Sequence, residues 1–275
     1  MNRQPVKPVG VVLLGTGKVA WHLVPALQSG GHRVLGVWSR TPASAEALGA
    51  AFGVPVLPDL NSLPPADMYL LPLPDAAVPE VVAAARFPVR ALVVHTAGAL
   101  PLSVFAAYPT IRGGVLYPLQ TFSPGRQIHW ATVPLCLEAA DPTGLTMLRQ
   151  VAASLSQDVR ELTSAQRLQL HIAAVWASNF PNHLLGISHA LLAEAGLPWE
   201  LLHPLIRETV EKALVQPPFT AQTGPALRQD AGTLARHEAG LADHAQWQLL
   251  YQQLSASIQR TAQETRGNNP PGKQL

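Results

Sequence analysis

The chain has 275 residues, long enough for two domains and a sizeable core. Hydrophobic residues make up 48% and charged residues 13%, which excludes an intrinsically disordered chain. The net charge of +2, with no basic run or stripe, argues against nucleic acid as a partner.

The first element predicted is a buried strand at 11–14 inside VGVVLLGTGKV, followed at once by Gly15 and Gly17, with Ala20 beyond. These residue types suit a dinucleotide. Gly15 makes a tight strand-to-helix turn, Gly17 lets backbone approach a pyrophosphate, and Ala20 lets the helix pack closely on the strand. The helix runs over 19–28 and stops at Gly30-Gly31, and its N-terminus near Lys18 favours an anion. A P-loop is excluded, because its spacing would need glycine at Val12 and Ser or Thr at Val19. The second strand, Arg33–Trp38, ends in Ser39-Arg40-Thr41, with no acid to take a ribose 2′-hydroxyl. A hydroxyl beside a guanidinium suits a 2′-phosphate, so NADP (NADPH) is the expected cofactor.

Helix Pro42–Phe52, a short strand at 54–57 and a strand at 67–73 come next. Then follow a helix at 76–86, a strand at 91–95, a helix at 102–108, strands at 114–119 and 132–138, helix Pro142–Leu155 and a last strand at 159–162. Strands alternating with helices indicate βαβ units and a mostly parallel sheet. From Ser164 onward only helical periodicity remains, over 166–195, 199–214, a segment within 225–236, and 237–263. The expected domains are therefore 1–162, an NAD(P)-binding Rossmann domain; 163–264, an all-helical domain; and 265–275, a disordered Gly/Pro/Asn-rich tail. Cys136 lies in an apolar run and reads as a buried, inert thiol, which fits a reducing, cytoplasmic setting. The basic start and short apolar run do not make a signal peptide, and no window has the ~18 apolar residues of a membrane span.

In open α/β sheets ligands lie outside the carboxyl ends of the strands. That places Pro74, after the strand at 67–73, and His95 with Thr96, after the strand at 91–95, near the nicotinamide end of a dinucleotide. Asp75 is equally a candidate cap for the helix that follows it. In YPLQTFSP, Gln120 is the expected substrate-binding residue, with Thr121 and Ser123 also able to hydrogen-bond. On an ideal helix Arg167, His171, Asn179 and Asn182 fall at about −40°, 0°, 80° and 20°, a polar arc on an otherwise apolar helix. Such an arc is either a catalytic face or a buried hydrogen-bond network, and Pro181 disturbs its last member. His171 is the expected general acid/base, with Asn179 and Asn182 orienting substrate. Arg228, just inside the helix start at Thr223-Gly224-Pro225, would bind a carboxylate or phosphate. No spacing of His, Cys, Asp and Glu suggests a metal site.

Taken together, GTGKVA, HTAGAL, YPLQTF, QRLQLHIAAVWASNFPNHL and QTGPALRQD, in that order, resemble a bacterial family that joins a Rossmann-like NADP-binding domain to a C-terminal helical domain of unknown function. The architecture also resembles pyrroline-5-carboxylate reductases, 6-phosphogluconate and β-hydroxyacid dehydrogenases, ketopantoate reductases and deazaflavin-dependent NADP reductases. The resemblance implies a doubly wound, mostly parallel α/β Rossmann domain followed by an all-α, 6-phosphogluconate-dehydrogenase-like domain, and a homodimer. In those dehydrogenases a Lys, and an Asn one turn later, serve proton transfer and substrate. Here His171 stands roughly where that Lys would be, residue 175 is Val, and the Asn comes at 179. The expected function is an NADP-dependent oxidoreductase acting on a small polar molecule (a hydroxy acid, an imine or a deazaflavin) in a cleft between domains. A non-catalytic NADP-binding regulatory or structural dimer is the alternative.

Overall fold

The computed structural model describes residues 7–267, in two compact units that divide between Phe180 and Pro181. The first unit carries a seven-stranded sheet in the order β2-β1-β3-β4-β5-β6-β7. Its strands are β1 (Gly10–Leu14), β2 (Arg33–Trp38), β3 (Met68–Leu71), β4 (Leu92–His95), β5 (Arg112–Pro118), β6 (Leu135–Ala139) and β7 (Val159–Glu161). Neighbours run parallel except β5 and β6, which pair antiparallel. The runs in β1, β3 and β4 are buried throughout because both faces of the sheet are covered. On one face Val11 and Leu13 meet α1 (Lys18–Ser29) and α4 (Pro142–Leu155). On the other, Val12 and Leu14 meet α3 (Ala77–Ala84). The chain leaves β1 toward β2 on one side and reaches β3 on the other, so the topological switch point lies at the carboxyl ends of β1 and β3.

Helices α1, α2 (Pro42–Phe52) and α4 and strand β2 lie where the hydrophobic pattern and the Gly and Pro signals place them. Elsewhere prolines and glycines alter the expected elements. The strand expected at 54–57 is a single parallel bridge between Val37 and Val56, since Pro55 and Pro58 offer no N–H to extend a ladder. The helix expected at 102–108 shrinks to a 3-10 turn, Leu102–Phe105, between Pro101 and Pro109. The last two helices divide after Gly240, not before His237: α9 is Ala231–Gly240 and α10 is Ala245–Gly267. Because α10 runs through Gly267, the tail expected to be disordered from 265 starts as helix; the rest of it lies outside the described residues.

After the sheet, α5 (Ser164–Ala174) opens with a capping box in which Thr163 and Gln166 satisfy one another's backbone N–H groups. A π-helical turn, Val175–Asn179, then leads into α6 (Phe180–Glu194). Pro181 explains the turn, because it has no N–H to return to the carbonyl one turn back. Arg167 in α5 is 1% exposed and fixes the helix to the sheet. Its Nη1 is ion-paired with Glu138 of β6, and its Nη2 donates to the Leu100 carbonyl (2.6 Å). Glu138 also accepts from the Ser164 N–H (2.9 Å) and hydroxyl (2.8 Å), so the first turn of α5 is bound twice. Removing either partner of such a pair costs about 3–5 kcal/mol, because the other charge stays buried.

The second unit contains α7 (His203–Val215), α8 (Pro225–Arg228), α9 and α10. Among the described residues it buries only two hydrophobic side chains, Ala226 and Leu241, while Leu205, Leu214, Val215 and Phe219 stand exposed. No helix among the described residues is long and apolar enough to cross a membrane.

Two buried histidines in the first unit are neutral. His32 accepts from the Val9 N–H at Nδ1 and pairs through Nε2 with the Ser154 hydroxyl (2.8 Å), and burial lowers its pKa. His95 is 0% exposed, and its pKa falls to about 3 through burial and then through the Arg167 charge, against a raising contribution from the Pro101 carbonyl. Unfolded histidine titrates near ~6.5, so the unfolded chain binds more protons below that pH and the folded state loses stability on acidification. His95 alone is expected to cost about 2 kcal/mol between pH 6.5 and pH 5. Urea melts of the first unit's transition across that range should show the midpoint falling with pH; a flat profile would contradict neutral burial of both rings.

Candidate functional site

The glycine turn sits at the switch point. Gly15 has φ +131°, and its N–H donates to the Trp38 carbonyl (2.8 Å), which ties the turn to the end of β2. A Cβ on Gly15 would lie 2.7 Å from the Leu73 side chain and 3.0 Å from the Pro72 carbonyl, so the β3 loop fills that space. Gly17 is the N-cap of α1, with no side-chain cap. The first N–H groups of that helix therefore face outward without a protein acceptor on a side chain. Thr16 and Val19 are half-buried, and Gly17 and Lys18 are exposed. At the end of β2 the Ser39 hydroxyl accepts from the Thr41 N–H (3.2 Å). Arg40 is exposed, 3.7 Å from the equally exposed Glu80. A pair so open to water is worth little, which leaves Arg40 available. Pro74 is exposed in the β3 loop, next to Asp75. The helix after Asp75 has Ala76 as its N-cap and no side-chain cap, so the capping role considered for Asp75 is not formed.

At the end of β4 the side chains of His95 and Thr96 are buried. His95 stacks on Phe105 (5.7 Å between centroids) and accepts from the Ala97 N–H (3.2 Å). The most consequential residue of this loop is Gly98. A Cβ there would fall 2.5 Å from Nδ1 of His171, so the glycine makes room for the imidazole of α5. His171 is half-buried, with Nδ1 3.1 Å from the hydroxyl of Tyr117 and the rings edge to face. Tyr117 stands near the carboxyl end of β5, 8% exposed. Its pKa is pushed up to about 12, first by burial, then by Cys136 across the strand pair and by Asp75, with Arg167 acting in the opposite direction. The phenol is therefore protonated at neutral pH.

The Tyr117–His171 pair lines a cavity of about 680 Å³ whose other polar residues are Gln120, Thr121, Ser178 and Asn179. Gln120, His171 and Asn179, three of the expected site residues, thus come together. The polar arc does not survive whole. Arg167 belongs to a buried network, and the π turn rotates everything after Val175 away from the 100° spacing. Asn182 and Arg228 belong to the second unit, and both are exposed. Asp230 near Arg228 caps α9 through the Thr233 N–H (3.0 Å). Among the described residues no group of three or more His, Cys, Asp or Glu is placed to hold a metal ion. Pattern alone does not single out Tyr117 and Gly98; the signals the sequence carries are a tyrosine closing an apolar strand and a glycine after HTA. Gly98→Ala is expected to overpack the His171 ring and destabilise the first unit by about 1–3 kcal/mol in urea melts. Gly186→Ala, with nothing within 4 Å, should not.

Residues 2–121 match the model of a Rossmann-like domain, and residues 133–258 match that of a domain of unknown function, DUF2520. No curated protein matches the chain. Among solved structures, a Bacteroides fragilis protein described as an NADP oxidoreductase is 36% identical, with 93% of this chain and 100% of that one covered and a TM-score of 0.85. A reductive aminase from Aspergillus terreus, in complex with NADPH and ethyl-5-oxohexanoate, shares the fold at 16% identity (TM-score 0.70, covering 95% and 96%). So does 1-pyrroline-5-carboxylate reductase from Streptococcus pyogenes, at 12% identity (TM-score 0.60, covering 94% and 99%). With two domain models matched in order and a relative more than one-third identical over its full length, the chain belongs to the family that joins a Rossmann-like domain to a DUF2520 domain.

Proposed function

We propose that this protein is an NADP-dependent oxidoreductase that reduces a small carbonyl or imine compound, or runs the reverse reaction, beside Tyr117 and His171. The observation that carries this reading is the Tyr117–His171 contact, a proton-transfer pair on the carboxyl edge of the same sheet that holds the glycine turn. The glycine turn fits a dinucleotide: a cradle that a Cβ would fill at Gly15, and an uncapped helix N-terminus at Gly17. Gly15, Thr16, Gly17, Lys18 and Val19 hold the pyrophosphate, Ser39, Arg40 and Thr41 the 2′-phosphate, and Pro74 and the backbone at His95 and Thr96 flank the nicotinamide end. When bound, the reduced nicotinamide supplies hydride to the substrate carbon.

The chain's own residues manage the proton. The Tyr117 phenol gives its proton to the substrate oxygen or nitrogen as negative charge develops there, and His171 restores it through Nδ1. Gln120 and Asn179 orient the substrate by hydrogen bonds from their amides. Asn182 and Arg228, expected from the sequence to serve substrate, remain proposals that belong to the second unit. The division of labour is a cofactor domain over 1–162 and a helical substrate and dimerisation domain over 163–264. The exposed apolar faces of the helical unit support a homodimer.

Titration of the full chain with NADPH and NADH, followed by nicotinamide fluorescence, tests the cofactor. NADPH should bind more tightly, and Arg40→Ala should weaken NADPH by about 10–100-fold and leave NADH unchanged. Absence of binding by either nucleotide would refute the reading. His171→Ala and Tyr117→Phe are each expected to lower turnover by about 100-fold or more with NADPH affinity near wild type. Unchanged turnover in both would remove the pair from the mechanism.

A further inference from the structure

Resting on the assignment of the Tyr117–His171 cavity as the substrate site, we propose that the substrate is uncharged around its reacting carbon, a neutral carbonyl compound or imine and not a 2-oxo or 2-hydroxy acid. Among the described residues, no Lys, Arg, Asp or Glu lines the cavity. Its walls are Leu119, Phe122, Leu170 and Val175, with Ala173 and Ala174 leaving width for an apolar body. The polar groups that remain are hydroxyls, amides and one imidazole, a set that orients a neutral molecule but does not neutralise an anion.

The guanidinium closest along the helix, that of Arg167, is not available. It is 1% exposed, and both terminal nitrogens are engaged, one by Glu138 and the other by the Leu100 carbonyl. Its Nε has no hydrogen-bond partner but is closed off from the surface, so an anionic substrate reaches the guanidinium only by opening that packing or by breaking the buried ion pair and leaving Glu138 uncompensated. The reacting carbon has to approach Tyr117, which is 8% exposed, so a carboxylate bonded directly to that carbon would be drawn out of water with no Lys or Arg of the cavity lining to meet it. In the reaction the hydride ends on carbon and the proton on oxygen or nitrogen, so a neutral substrate leaves as a neutral alcohol or amine. Selectivity of this kind comes from the penalty against the anion, an unpaired buried charge, more than from any added attraction for the neutral compound.

The test is binding first and turnover second. Matched sets sharing one carbon skeleton (a 2-oxo acid, its ethyl ester and the corresponding methyl ketone) are titrated calorimetrically into the full chain with and without NADP+, and NADPH oxidation is then followed with each. The ester and ketone are expected to bind about 100-fold more tightly than the acid. Ala177→Trp, at an exposed lining position, should abolish that binding without unfolding the protein. Acids binding as well as their esters would overturn the proposal, and so would no binding by any member of the sets. Preferential binding of the neutral compounds without NADPH oxidation would uphold the charge selectivity while sinking the oxidoreductase reading on which it was built.

Discussion

The buried pair of Arg167 and Glu138 is the constraint on which the site depends. Taking two charges out of water is expensive, and the pair is sustained by further hydrogen bonds made by both partners. Glu138 receives the first turn of α5, and Arg167 reaches the Leu100 carbonyl beyond β4. Three segments far apart in sequence are thereby held in one register. One turn after Arg167 the helix delivers His171 into the space that Gly98 leaves and against the hydroxyl of Tyr117. The same guanidinium helps keep His95 neutral below the loop and draws the Tyr117 pKa downward against burial.

Two glycines play matching parts at two points along the carboxyl edge of the sheet. Gly15 lets the β3 loop close over the first turn, and Gly98 lets an imidazole close over the fourth strand's end. In both places the missing Cβ is replaced by a neighbour, which makes the positions intolerant of any larger residue. The difference is in what they build. The turn at Gly15 is a backbone cradle with an uncapped helix behind it, suited to a phosphate. The contact at Gly98 is a side-chain placement, suited to moving a proton.

The elements near the N-terminus were legible because each is specified within a dozen residues. The run before Gly15, the helical spacing of Leu23 and Leu27, and Pro42 at the start of α2 act locally and agree with one another. Where two such signals compete, the backbone chemistry of proline prevails over the apolar pattern. Prolines 55 and 58 reduced an apolar run to a bridge, and prolines 101 and 109 cut a helix to a single turn. The polar arc after Arg167 was legible as far as His171. Its continuation rested on uniform spacing, which the π turn before Pro181 does not keep.

By itself the sequence determined the alternation of strands and helices, the glycine turn with its basic end at Arg40, and the all-helical character after the last strand. These follow from periodicity, propensity and backbone chemistry, which operate over a few turns of chain. Only the tertiary structure decided that Arg167 is structural, that His171 stands beside Tyr117, and that Gln120 and Asn179 share its cavity. Tyr117 and His171 are 54 positions apart, and Arg167 and Glu138 are 29 apart. No local pattern encodes such pairings. They exist because burial leaves each polar group in need of a partner, and strand order and helix docking determine which partner is within reach.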